Sequence, residues 1–283
     1  MLNPTLPYTL DLLNRTSQML RINGLPDTMP ERDVKRILQT CGSMFVTKVD
    51  GKLYGFFGGQ GGRPNPYYNP TIFTVANPAL NFYENARIAT EEMLEKGDGV
   101  LVRHDSYMQG LLHIFDRYVP LLVECDITLK RLAITARVPW VITAGDDSDK
   151  AGADKFLQDV EKGEKLSAIV SDSFYDQLKA QPLSNGASTI TDIIELKQYL
   201  KASCLNDIGL DANYNMKRES LNSAESQLNN DALLPLVDDI LTNTQRGFEL
   251  VNEKYGTNIT VELGEAWKRA QQTPREETLE EVR

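Results

Sequence analysis

Residues 188–262 open as Ser188-Thr-Ile-Thr-Asp-Ile-Ile-Glu-Leu-Lys-Gln-Tyr-Leu200 and close as Glu249-Leu-Val-Asn-Glu-Lys-Tyr-Gly256-Thr-Asn-Ile-Thr-Val261. They predict an amphipathic helix, a polar gap, a second long helix and a short strand. The gap, residues 211–231, spans 21 residues and holds five Asn, three Ser and one basic pair, Lys217-Arg218. Polar connections longer than about 12–15 residues are uncommon inside a compact domain and usually carry a function or stay disordered. Nothing around the gap has a catalytic pattern, so it calls for a mechanical or binding role.

Composition narrows the classes. The chain has 283 residues, enough for one large domain or two ordinary ones. At 41% hydrophobic it has ample material for a core. Its formal charge is −10 and its pI about 4.9. A conventional DNA reader is basic, because neutralising phosphates drives its binding; by that test alone tight DNA binding is not expected. No stretch approaches the roughly 18 consecutive apolar residues of a membrane span. The opening Met1-Leu-Asn-Pro-Thr-Leu-Pro7 lacks the charged start of a signal peptide. Cys41, Cys125 and Cys204 are odd in number and far apart, which fits no metal spacing and suggests a reducing compartment.

Toward the amino terminus, Leu6, Leu10, Leu13 and Leu20 recur at near-helical spacing until Asn23-Gly24. Pro30 can open a second helix whose Val34, Ile37 and Leu38 share a face up to Gly42. Residues 44–57 then switch to a strand pattern with a hairpin turn at Asp50-Gly51. Phe45, Val49, Leu53, Tyr54 and Phe57 are expected in this small sheet. A Gly/Pro/Asn-rich connector at 58–70 leads to a strand at 71–75. Residues 86–94 read as a helix and 99–103 as a strand. Residues 108–137 form a leucine-rich helical pattern in which Pro120 predicts a kink or a new start. Trp140-Val-Ile-Thr143, a helix over 149–161 and Ser167-Ala-Ile-Val170 suggest a β-α-β unit. The tail after Gly264 is charged.

No organised catalytic or metal site emerges. Gly58-Gly59-Gln60-Gly61-Gly62 is followed by Arg63-Pro64 rather than the Lys-Ser/Thr of a phosphate loop, and reads as a connector. Asp146-Asp147-Ser148-Asp149 lacks a calcium loop's closing Glu and fits a turn and helix cap. His104 and His113 are the only histidines, with no nucleophile motif near them, although a triad is recognised by geometry. Glu91, Glu92 and Glu95 suggest a solvated helix face. Lys197 and Lys201 fall within the apolar stripe of Ile190, Ile193, Ile194, Leu200, Cys204 and Ile208. Either their stems pack and their ammonium groups reach water, or that face borders an anionic ligand.

Three blocks carry a resemblance: Leu205-Asn-Asp-Ile-Gly209-Leu-Asp-Ala-Asn213, then Lys217-Arg218-Glu219, then the run from Glu249 to Val261. Together they resemble the portal proteins, or upper collar and head–tail connector, of small protein-primed tailed phages (podoviruses, picovirus-like). The likeness runs from about Leu6 to Leu263, and residues 24–42 with the following hairpin resemble the family's wing. It implies an α+β, mainly α chain with the portal fold: long stem helices, a small antiparallel SH3-like β wing and a β-α-β clip. On this mapping residues 1–107 are the wing, 108–137 the first stem helix, 138–187 the clip and 188–209 the second stem helix. Residues 210–231 are the channel loop, 232–263 the wide-end helix and a strand returning to the wing, and 264–283 the charged tail.

The resemblance further implies a homododecameric ring at one capsid vertex, through which double-stranded DNA is packaged and ejected without sequence recognition. Implied partners are the major capsid and scaffolding proteins, the packaging ATPase and then the lower collar and tail, with assembly in the host cytoplasm and no membrane. Such proteins are not enzymes and hold no cofactor or metal. An acidic ring then has a physical sense, because a conduit must not grip its cargo and each added phosphate contact strengthens binding. Lys197, Lys201, Lys217 and Arg218 are the expected channel contacts to DNA. Stem faces including Leu129 and Leu132 are expected to meet neighbouring copies. A basic, RNA-binding amino terminus is not implied, since the first 22 residues contain only Arg15 and Arg21. A monomeric acidic neck or capsid adaptor, or an enzyme of unrecognised class, are the alternatives.

Overall fold

Asp50 and Gly51 both adopt positive φ, 50° and 78°, the backbone of a two-residue primed turn that matches strand twist. They join β2 (Ser43–Val49) to β3 (Lys52–Phe56), paired antiparallel with Phe45 opposite Phe56 and Thr47 opposite Tyr54. This computed structural model describes residues 4–137, 140–143, 154, 158, 179–182, 187–209, 235–265, 267 and 268. The chain divides into two compact units, Met1–Val119 with Ala202–Arg283, and Pro120–Lys201.

In the first unit, β7 (Val100–Arg103) pairs along the other edge of β2 and completes a β3-β2-β7 sheet. A second antiparallel sheet has the order β4-β5-β6, from Gly59–Gly61, Ile72–Asn77 and Phe82–Arg87. The two sheets share one core of Phe45, Phe56, Leu101, Phe73, Val75 and Ala86. The Phe45 and Phe73 rings stack 5.1 Å apart, within the favourable range for aromatic pairs. Val49 and Tyr54 pack partly buried against this cluster and Leu53 is buried, whereas Phe57 lies just past β3 and is exposed.

Helix α1 (Leu6–Thr16) stops earlier than its leucine spacing suggests. The Thr16 hydroxyl donates to the Leu12 carbonyl and accepts from the Gln39 amide, so Leu12 and Thr16 are buried while Leu6 and Leu10 are exposed. Leu20 belongs instead to β1 (Leu20–Asn23), which pairs with β10 (Thr260–Leu263), Ile22 lying opposite Val261. Helix α2 (Glu31–Cys41) begins after Pro30, buries Val34 and Leu38, and ends at Gly42 in the left-handed conformation.

Residues 86–94 are not a helix. Ala86 and Arg87 finish β6, where pairing along all of β5 overrides a helix-favouring composition. Asp98 fastens the strand end by accepting from the Arg87 backbone and guanidinium. Only Glu91–Met93 form a short 3-10 turn, and Glu91 accepts from Arg246 rather than lying on a helix face with Glu92 and Glu95. Within the expected glycine connector, Gly59–Gly61 pair with β5, and Gln60 donates to the Ser43 hydroxyl.

Helix α3 (Leu112–Arg137) starts four residues later than the leucine pattern implies and continues through Pro120 without a new start. Strand β8 (Trp140–Thr143) forms as expected, but pairs antiparallel with β9 (Lys179–Pro182). Asp154 and Gln158 are helical. The rest of the expected 149–161 helix, the strand at 167–170 and the acidic run at 146–149 lie outside the described residues. Helix α4 (Ala187–Asp207) and helix α5 (Pro235–Tyr255) match the two expected long helices. Gly247 lets α5 approach β7, since a Cβ there would lie 2.9 Å from the Val102 Cα. Asn252 closes the turn into β10: its Oδ1 accepts from the Ile259 amide and the Thr257 hydroxyl, and its Nδ2 donates to the Ile259 carbonyl. The described chain is thus mixed α+β, with five α-helices and small antiparallel sheets.

Candidate functional site

Of the residues that the sequence marks as channel contacts, Lys197 and Lys201 lie on α4, and within each unit hydrogen bonds tie α3 to α4. In the unit Pro120–Lys201, the Lys197 ammonium donates to the Asp126 carboxylate. This side chain therefore meets a carboxylate. Lys201, one turn on, is exposed. Of the stripe itself, Leu200, Cys204 and Ile208 are buried, Ile190 and Ile193 half-buried and Ile194 exposed. In the other unit, Asp207 accepts from Tyr118 at 2.6 Å and from Arg117 at 3.1 Å. Burial, then the Asp207 carboxylate, pushes the Tyr118 phenol up to about 12, so it stays a donor. Lys217 and Arg218 lie outside the described residues.

Among the described residues of the unit Pro120–Lys201, Leu121 and Ile127 on α3 and Ile194, Leu196 and Tyr199 on α4 are large apolar side chains that are exposed. Large contiguous apolar patches mark interaction sites, whereas apolar side chains scattered singly are ordinary exterior. Leu129 and Leu132 are half-buried within the subunit, which makes them less available to a neighbour than Leu121 and Ile127, exposed at 49% and 53%.

Among the described residues, no catalytic geometry is assembled around the histidines. His104 is buried, and its Nδ1 lies 3.3 Å from Asp105. Ser106, the nearest hydroxyl in sequence, donates to Asp239 on α5 and accepts from Asn243. His113 is exposed. Burial raises the Cys125 thiol and carries Cys204 up to about 12, which removes the thiolate a nucleophile needs. Among the described residues no group of three His, Cys, Asp or Glu is placed to hold a metal, and no helix is long and apolar enough to cross a membrane.

The β7–α3 junction, which sequence reading did not single out, is built on Asp105. Its carboxylate accepts from the Tyr107, Gln109 and Gly110 amides and faces His104. Burial raises this carboxyl, but the hydrogen bonds from His104, Gln109 and Gly110 outweigh it and hold the group below the ordinary carboxylate value. The corresponding stability is complete above the unfolded group's range and is lost as pH falls below about 4 through the lowered folded value. Urea midpoints between pH 7 and pH 3 test this. Asp105→Asn is expected to lower the midpoint at pH 7 and to flatten the acid-side decline; an unchanged slope refutes the assignment.

Comparison with known proteins adds the following. Residues 6–267 match the family described as Phage Connector (GP10). Among solved structures, the chain is similar to one described as the portal and tail of native bacteriophage P68, at 14% identity, covering 90% of this chain and 85% of that one, with a TM-score of 0.41. No curated protein matches.

Proposed function

The chain belongs to the phage connector family, and from that premise we propose that it is a portal subunit acting as a conduit rather than an enzyme. Twelve copies form a closed ring at one capsid vertex. Double-stranded DNA enters and leaves through the ring, which engages the packaging ATPase and later the lower collar and tail. The capsid and scaffolding proteins build around it in the host cytoplasm, and the ring remains in the virion. The observation that carries this reading is the family match across residues 6–267, nearly the whole chain. The exposed apolar residues of α3 and α4 supply faces that neighbouring copies cover in a heterologous, closed arrangement.

Within this reading, residues 1–107 are the wing, 108–137 and 188–209 the stem helices, 138–187 the clip, and 232–263 the wide-end helix and returning strand. Residues 210–231 form the channel loop. Exposed Lys201 and the pair Lys217-Arg218 are the foremost cations for DNA. Lys197 contributes less field, because Asp126 sits against it. Negative-stain images and native mass test the ring. A mass near twelve times 31.8 kDa is expected, and a strict monomer overturns the reading in favour of a neck or capsid adaptor.

The loop has its own test. Lys217 and Arg218 would contact phosphates, which position a duplex without reading sequence. Changing both to Ala is expected to leave ring assembly intact and to lower genome retention in assembled particles. Any measured DNA binding should lose part of its salt dependence, because fewer counterions are released. Equal retention by the altered and unaltered particles removes the loop from the channel.

A further inference from the structure

Beside the wing's sheets, the segments 63–72 and 87–97 face α5 across an open groove of 1090 Å³, larger than a typical small-molecule site. In a chain of net charge −10, this groove is basic: Arg63, Arg87, Lys96, Arg103 and Arg246 line it against only Glu91 and Glu92. Arg87 is partly neutralised by Asp98 and Arg246 by Glu91. Between the cations lie apolar side chains, among them Ile72, Met93 and Leu250. The surface therefore suits an extended segment with several carboxylates and a few apolar side chains.

One segment of this chain has that chemistry: Glu276-Glu277-Thr278-Leu279-Glu280-Glu281-Val282, four carboxylates flanking a leucine and followed by a valine. It also starts within reach. Gln245 on α5 donates to the Val261 carbonyl of β10, so the chain passes along the same helix that lines the groove before reaching Lys268. The residues after Lys268 can extend about 3.3 Å each, so the seven before Glu276 cover roughly twice a helix diameter. We propose that the groove is the docking site of residues 276–282 of the same chain, held by charge pairing to Arg63, Lys96 and Arg103 and by Leu279 against the apolar lining. Docking covers the wing's basic surface, and the inference stands on the wing alone, whether or not rings form.

A labelled peptide of residues 269–283 tests this with full-length protein. A full-length variant with Glu276, Glu277, Glu280 and Glu281 all changed to Gln leaves the groove open. It is expected to bind the peptide at least tenfold more tightly than the unaltered chain, whose own segment competes. Adding Arg63→Glu and Lys96→Glu to that variant should weaken binding at least tenfold, and a peptide carrying the four Gln changes should not bind at all. That last arm leaves the protein untouched. Equal affinity of the two chains, no binding to either, or binding indifferent to the groove substitutions overturns the proposal. Benzoylphenylalanine in place of Leu279 gives a second readout. Crosslinks to segments 87–97 or 243–250 within one chain support docking. Crosslinks only between chains would put a second copy there, and tighter binding of a single-stranded oligonucleotide than of the peptide would make the groove a nucleic-acid site; either result refutes it.

Discussion

Ile127→Asp, alone or with Leu121→Asp, is expected to give a folded subunit that cannot close the proposed ring. Both side chains are about half exposed in the isolated subunit, so a carboxylate at either position is solvated before assembly. If neighbours cover this face, each new charge is buried without a partner, at an effective cost of several kcal/mol. A closed ring repeats that cost at every interface, since each subunit presents the same two surfaces. Size-exclusion chromatography with light scattering should show monomers with unchanged far-UV circular dichroism. Intact rings from the double variant would place the subunit interface elsewhere. Leu129 and Leu132 are poorer probes, because Asp there disturbs the subunit's own packing.

Phe45→Ala is expected to have the largest effect on the subunit itself. Phe45 is fully buried, stacks on Phe73 and joins the β3-β2-β7 sheet to the β4-β5-β6 sheet. Truncating a buried aromatic costs about 3–5 kcal/mol through lost transfer energy and a residual cavity. Total stability in proteins is about 5–15 kcal/mol, so this one change should remove a large fraction of it. Urea denaturation is the direct measurement. A loss under about 1 kcal/mol would mean the two sheets do not depend on a common core.

What the sequence disclosed follows how locally each element is determined. The Asp50-Gly51 turn fixes the β2–β3 hairpin from within, because its two positive φ values suit those residue types. Helix α2 announces both ends through Pro30 and Gly42. The order of α4, α5 and β10 was equally readable from periodicity and the Tyr255-Gly256 stop. Several strands were not, β6 and β1 among them. β6 contains Glu84, Asn85 and Ala86, which favour other structure when taken alone, and is a strand because β5 lies beside it. Residue Leu20 continues a helical spacing, yet joins β1 because Leu263, far along the chain, is its partner. For the candidate site, the lysine stripe on α4 was visible, but its acidic partner Asp126 was not, since nothing local links α3 to α4. The junction built on Asp105 was hidden for a similar reason: backbone amides are its partners, and they carry no residue signature.

The pairing of β1 with β10 bears on the order of events during synthesis. The unit Pro120–Lys201 is contiguous in sequence, whereas the other is split around it and borrows its final strand from residues 260–263. A ribosome adds about 5–20 residues per second, so β1 waits many seconds with an unpaired edge after it emerges. The contiguous unit has by then been made in full. A nascent chain therefore cannot complete the split unit until residues 260–263 have emerged, and a product terminated before them leaves β1 without its partner strand. Truncated chains would carry an open strand edge at β1, a ready template for pairing with other chains.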